Sequence, residues 1–191
     1  DDPDESPYAS YGEDSIHNAF HTALAYEAAI ESMVLLKNEH QVLPLRTDTL
    51  KAVMVVGPQA ASSDVLLGNY HGLNSGLITF AEGLAHSLPK GIRLEYDLGA
   101  GEKDTQHFGG LWAAGNADIT IAIVGLSPVL EGEAGDAFLS ESGGDRKNLS
   151  LPPSQLAFLK ALRQAVHHPI IVVVTGGSAV DIDAIQPYAD A

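Results

Sequence analysis

Short apolar runs rich in β-branched residues recur along the chain, each stopped by glycine, proline or polar residues. Ala52-Val53-Met54-Val55-Val56, ended by Gly57-Pro58, is the clearest. A continuous run of that length reads as a strand buried on both faces. Residues 92–96, 119–124 and 170–174 repeat the pattern, and between these runs residues 79–88, 105–115 and 154–166 have helical character. The alternation predicts an α/β fold: a mainly parallel sheet flanked by helices on both faces, because parallel neighbours need crossover connections to return the chain. Upstream, Ile16, Phe20, Ala23, Ile30 and Val34 recur near helical period. They predict a helix over residues 15–36, capped by Ser15 and ending near Asn38, a residue type that tolerates left-handed geometry. Residues 1–14, with Pro3, Pro7 and Gly12 among acidic and small residues, read as an extended linker arm. That leaves residues 15–191 for a single domain.

Length and composition narrow the class. A chain of 191 residues with 45% hydrophobic and 18% charged residues buries a sizeable core and is ordinary for a globular protein. Its formal net charge of −15 argues against nucleic acid, whose phosphates would have to be neutralised by lysine and arginine. A neutral partner such as a sugar suits it better. No apolar run approaches the roughly 18 residues of a membrane span, and the acidic start Asp1-Asp2-Pro3-Asp4-Glu5 has neither the charge nor the apolar core of a signal peptide. Any targeting segment is expected outside this stretch. There is no cysteine, which excludes disulfides and thiolate metal sites without choosing a compartment. A periplasmic or secreted location is the expectation ahead of a cytoplasmic one, and no cofactor is expected.

In doubly wound sheets ligands bind beyond the carboxyl ends of the strands, so the chemistry is sought in the segments that follow them. After the first run comes Leu67-Gly68-Asn69-Tyr70-His71-Gly72, whose glycines permit tight turns and whose Asn69, Tyr70 and His71 could contact a polar ligand. After the last comes Thr175-Gly176-Gly177-Ser178, which has no lysine behind its glycines and so lacks the cation of a phosphate loop. After the third, residues 127–153 form a long stretch without evident secondary structure, and such stretches are usually functional. It carries Glu131, Glu133, Asp136, Glu141 and Asp145. Crowded carboxylates raise one another's pKa, and one kept protonated near neutrality can donate to a departing sugar oxygen. The bland alternatives are a solvated acidic loop or a calcium site, although the acids are out of register for a calcium-hand loop.

Several motifs resemble, in the correct order, the second, C-terminal domain of family 3 glycoside hydrolases. They are Glu31-Ser32-Met33-Val34-Leu35-Leu36-Lys37-Asn38-Glu39 with Leu43-Pro44-Leu45; Val55-Val56-Gly57-Pro58-Gln59-Ala60; and Leu66-Leu67-Gly68-Asn69-Tyr70-His71-Gly72. Further on come Val124-Gly125-Leu126-Ser127-Pro128 through Glu131-Gly132-Glu133, and Gly144-Asp145-Arg146 with Leu149-Ser150-Leu151-Pro152. Each is weakly specific, but their ordered combination covers nearly the whole chain. The long insertion between the glutamates and Gly-Asp-Arg is most similar to bacterial β-xylosidases and β-glucosidases, and Ser6-Pro7-Tyr8 resembles the linker preceding the domain.

The resemblance implies a retaining, exo-acting β-glycosidase acting on β-linked xylosides or glucosides. An aspartate of an N-terminal barrel domain would attack the anomeric carbon, and a glutamate of this domain would serve as acid and then base. Glu133 is the first candidate for that glutamate. Glu131 is the alternative, or the neighbour whose charge tunes Glu133. Tyr70 and His71 are the candidate substrate-binding residues, expected to face one crevice with Glu133. Arg146 with Asp145 is expected to be a loop-anchoring ion pair. The chain is expected to stop short of the strand that closes this domain, and to be inactive without its barrel. A non-catalytic carbohydrate-binding or assembly module is the competing reading.

Overall fold

The computed structural model describes residues 2–68, 70–72, 74 and 76–191. They form two compact units, residues 1–36 and residues 37–191.

In the first unit, a helix α1 runs over Ala19–Glu31, shorter at both ends than the predicted 15–36. His17 has a φ of +51°, which a right-handed helix cannot contain, so Ser15 instead closes a single 3-10 turn, Glu13–Ser15. The cap is Asn18, whose side chain accepts from the His21 amide at 2.9 Å. Asn38, in the second unit, is not left-handed. Its side-chain amide instead spans a loop, accepting from the Leu43 amide and donating to the Leu43 carbonyl, both at 2.9 Å, while His40 and Gln41 take the positive φ values.

The second unit is a four-stranded parallel sheet in the order β2-β1-β3-β4, built from β1 Ala52–Val56, β2 Arg93–Asp97, β3 Ile119–Gly125 and β4 Ile170–Thr175. Every residue of β1 and β3 is buried, as their continuous apolar runs require. Successive side chains take opposite faces. Met54, Val56, Ala122 and Val124 pack with Phe158, Leu159 and Leu162 of α5, Pro153–Ala165, and with Ala114 of α3, Leu111–Gly115. Val53, Val55, Ile121 and Ile123 pack with Phe80, Ala81 and Leu84 of α2, Phe80–Ser87, and with the connector residues Val42, Leu43 and Leu45. Helices therefore cover both faces, as expected from the sequence.

Local chemistry sets the helix boundaries. Thr79 and Glu82 form a reciprocal capping box that starts α2. The predicted helix over 105–115 survives only as α3. Its first half is a turn in which the Asp104 carboxylate accepts from the amides of Gln106 and His107, followed by left-handed Gly110, where a Cβ would lie 2.8 Å from Met54 Cε. The C-terminal residues lie along the outer edge of β4: the Val172 amide donates to the Ala191 carbonyl at 2.8 Å and the Asp190 amide to the Ile170 carbonyl at 2.8 Å.

Candidate functional site

Because all four strands are parallel, the segments after β1, β3 and β4 emerge at the same carboxyl edge. The chain proceeds from β1 to β2 on one side and reaches β3 on the other, so the loops after β1 and β3 diverge and leave a crevice between them. A cavity of about 420 Å³ occupies that place. Its walls come from Leu66–Gly68 after β1, Leu126–Pro128 and Glu131 after β3, and Gly176–Ser178 after β4.

The turn into this crevice is made at Gly125. Its φ is +143°, and a Cβ there would sit 2.0 Å from the Thr175 carbonyl oxygen, so only glycine lets β3 leave the sheet this close to β4. Its peptide groups are held from beneath by a buried amide. The Gly125 N–H donates to Gln155 Oε1 at 2.8 Å, and Gln155 Nε2 donates back to the Gly125 carbonyl at 2.8 Å. Gln59 Nε2, from the turn after β1, donates to the same carbonyl at 3.3 Å. Two glutamines thus fix the carboxyl ends of β1 and β3 relative to each other and to α5.

Beyond Gly125, the stretch that read as structureless is largely bonded to itself. Pro128–Glu131 forms a short helix α4. Leu139 N–H donates to the Val129 carbonyl at 3.0 Å, and Gly135 N–H to the Gly143 carbonyl at 3.2 Å. Ser140 Oγ donates to the Gly144 carbonyl at 2.8 Å. The expected Asp145–Arg146 ion pair is not among the ion pairs of the described residues. Arg146 instead donates to the Ala179 carbonyl at 2.7 Å, anchoring the loop to the segment after β4, since sequence neighbours in a bend project apart.

Glu131 is half-buried, closes α4 and lines the crevice. Its Oε1 accepts from the Gly177 amide at 2.7 Å and its Oε2 accepts from the Ser178 hydroxyl. The carboxylate therefore bridges the loops after β3 and β4 in one fixed rotamer. The glycine-rich turn after β4 does present a backbone donor, but to a carboxylate of the same chain rather than to a phosphate. Ser178 was not singled out from sequence. Its signal was only its place in the glycine-rich turn, three residues beyond the end of β4.

Glu133 is exposed and two residues further on, outside the crevice lining. The Glu133 carbonyl accepts from the amides of Asp136 and Ala137, at 2.9 and 3.1 Å, which makes the turn compact. Its charge acts on Tyr70: the phenol is raised above its ordinary value, with the Glu133 charge the largest cause and the Asp136 charge adding to it. Tyr70 itself is exposed with a left-handed φ of +59°. His71 is directed to its own turn, with Nδ1 3.0 Å from the Gly72 carbonyl oxygen. The expectation that Tyr70, His71 and Glu133 face one crevice is therefore not met: none of the three is in the lining, Tyr70 lies within reach of the Glu133 charge, and Glu131 is the carboxylate in the wall. Asn69 lies outside the described residues.

Among the described residues no group of three histidine or carboxylate side chains could hold a metal ion, and no helix is long and apolar enough to cross a membrane. A larger cavity of about 530 Å³ lies between Glu102–Lys103 and the loop residues 139–153. It is away from the crevice's β1 wall.

Comparison with known proteins gives a consistent set of similarities. The family model described as the glycosyl hydrolase family 3 C-terminal domain matches residues 33–191. An exo-1,4-beta-xylosidase of Emericella nidulans is 33% identical over 97% of the chain, and Beta-D-xylosidase 3 of Arabidopsis thaliana is 29% identical over 95%. In both cases the chain spans 22% of the relative's length. Among solved structures, a GH3 exo-beta-xylosidase in complex with a xylobiose aziridine activity-based probe superposes with a TM-score of 0.76 at 31% identity. The match covers 97% of this chain and 22% of that one. A GH3 beta-glucosidase of Bifidobacterium adolescentis gives 0.69 at 29% identity, covering 90% and 24%.

Proposed function

Since the chain belongs to glycosyl hydrolase family 3 as its C-terminal domain, we propose that in the full-length enzyme it supplies the general acid/base of a retaining, exo-acting β-glycosidase. The substrate is a terminal β-linked xylose or glucose. The nucleophile is an aspartate of a separate barrel domain, and this domain's task is to hold one carboxyl group about 5 Å from it, a spacing that leaves no room for the water an inverting enzyme places there.

The observation that supports this reading best is the position of Glu131. It is the one carboxylate in the wall of the carboxyl-edge crevice among the described residues. The sequence favoured Glu133 within the turn, and the crevice geometry favours Glu131. In the first step the protonated Glu131 donates to the leaving glycosidic oxygen. In the second, the same carboxylate takes a proton from the water that attacks the glycosyl-enzyme. Tyr70, whose phenol is under the charge of Glu133, is the candidate contact for the sugar leaving group. The second reading exchanges the two glutamates and rests on the influence of the Glu133 charge on Tyr70.

Azide discriminates the two in the full-length enzyme. Replacement of the acid/base by alanine is expected to slow a disaccharide by about 100-fold or more while leaving formation of the glycosyl-enzyme from an activated aryl glycoside nearly intact. Azide needs no deprotonation, so it restores turnover and yields a β-glycosyl azide. We expect this of Glu131→Ala. Rescue of Glu133→Ala alone transfers the role to Glu133, and rescue of neither removes it from this turn.

A further inference from the structure

The bonds that hold Glu131 point to a residue with no assigned part. We infer that Ser178 is a positioning residue for the acid/base, keeping Glu131 in one rotamer in both of its protonation states. This rests on the reading that Glu131 is the acid/base.

The two partners of the carboxylate differ in what they can do. The Gly177 N–H donates to Oε1 at 2.7 Å, and a backbone amide can only donate. It suits the ionised form. Ser178 Oγ meets Oε2, and a hydroxyl either donates to a carboxylate or accepts from a carboxyl group, by rotation about one bond. Glu131 must be protonated when the glycosidic bond breaks and ionised when water attacks, so a partner that holds it throughout has to tolerate the switch. Ser178 does, and it stays outside the core: residues 176–179 are exposed. Its removal opens no cavity. The bonds also join residues 46 and 47 positions apart in sequence, so that the loop after β4 sets where a carboxylate on the loop after β3 is aimed. Misplacement of a reacting group by about 1 Å can cost about 100-fold.

The test uses the full-length enzyme with Ser178→Ala, Ser178→Thr and Glu131→Ala. Their kcat and kcat/KM are measured against pH on xylobiose and on an activated aryl β-xyloside. Ser178→Ala is expected to lower kcat on the disaccharide about tenfold or more, with little loss in glycosyl-enzyme formation from the aryl substrate. Deleting a donor to the carboxylate disfavours the ionised form, so the high-pH limb moves to higher pH. Ser178→Thr, which keeps the hydroxyl, restores both. Equal losses on both substrates with the limb unmoved would mean a structural role and overturn the inference. Absence of azide rescue in Glu131→Ala would instead overturn the reading beneath it, and the two failures are told apart by that variant alone.

Discussion

Removing the amide of Gln155 is expected to destabilise the domain out of proportion to its size. The residue is 2% exposed and its side chain makes two hydrogen bonds to the Gly125 peptide groups, both at 2.8 Å. Leucine has a similar volume but no polar atoms. In Gln155→Leu the Gly125 carbonyl keeps Gln59, at 3.3 Å, while the Gly125 N–H is left buried without a partner. An orphaned buried donor costs about 1–3 kcal/mol, and the lost second bond adds about 1 kcal/mol. The expected loss is therefore about 2–4 kcal/mol. Gln155→Glu gives a sharper outcome. One oxygen still accepts from the Gly125 N–H, but the other now faces the Gly125 carbonyl and binds it only when protonated. Burial and that contact both raise the folded-state pKa of the new glutamate above its unfolded value of about 4.3. A raised pKa stabilises below the unfolded value and is lost as pH rises through the folded one. The variant should approach the parent near pH 4 and fall away from it by pH 8. Urea unfolding of parent and variants at both pH values, read from the midpoint at constant slope, measures this. A loss below about 1 kcal/mol for Gln155→Leu, or a Gln155→Glu deficit independent of pH, would refute the clamp.

Asp118 and Tyr70 offer two further tests, one at the start of the sheet and one at the acidic turn. Asp118 Oδ2 accepts from the Lys51 and Ala52 amides at 2.6 and 2.8 Å, tying the start of β1 to that of β3. These bonds, Lys51 first and Ala52 next, hold its carboxyl below the usual aspartate value. A depressed value stabilises above the unfolded pKa and is lost as pH falls through the folded one. Asp118→Ala is therefore expected to cost about 1 kcal/mol at pH 7 after solvent screening, with the gap closing in acid. A gap that persists unchanged in urea melts below the ordinary aspartate range would count against it. The Tyr70 phenol, raised chiefly by Glu133, should ionise at lower pH in Glu133→Gln, followed by tyrosinate absorbance with Tyr70→Phe as the blank. An unmoved titration would separate the two residues.

Much of the scaffold was legible because buried parallel strands need unbroken apolar runs. The boundaries of β1 agree with the sequence pattern, and β2, β3 and β4 differ from it by a residue or so at their ends. Helix boundaries were less legible where a left-handed residue interrupts an otherwise helical pattern. His17 and Gly110 moved the starts of α1 and α3 to later residues, and periodicity carries no sign of φ.

For the site, the order of strands and crossovers already implied that loops after β1, β3 and β4 share an edge, since parallel strands end on one side. The acidic turn at residues 131–133 could likewise be located from composition. Which glutamate enters the crevice was decided by tertiary structure, because Glu131 and Glu133 are two positions apart on a turn whose facing depends on α4 and on bonds to a loop some 46 residues away. The same holds for Gln59, Gln155 and Ser178. Glutamine and serine are ordinary surface residues in a sequence. They become a clamp and a latch only where folding puts a buried backbone group, or a carboxylate, within reach of a side chain far along the chain.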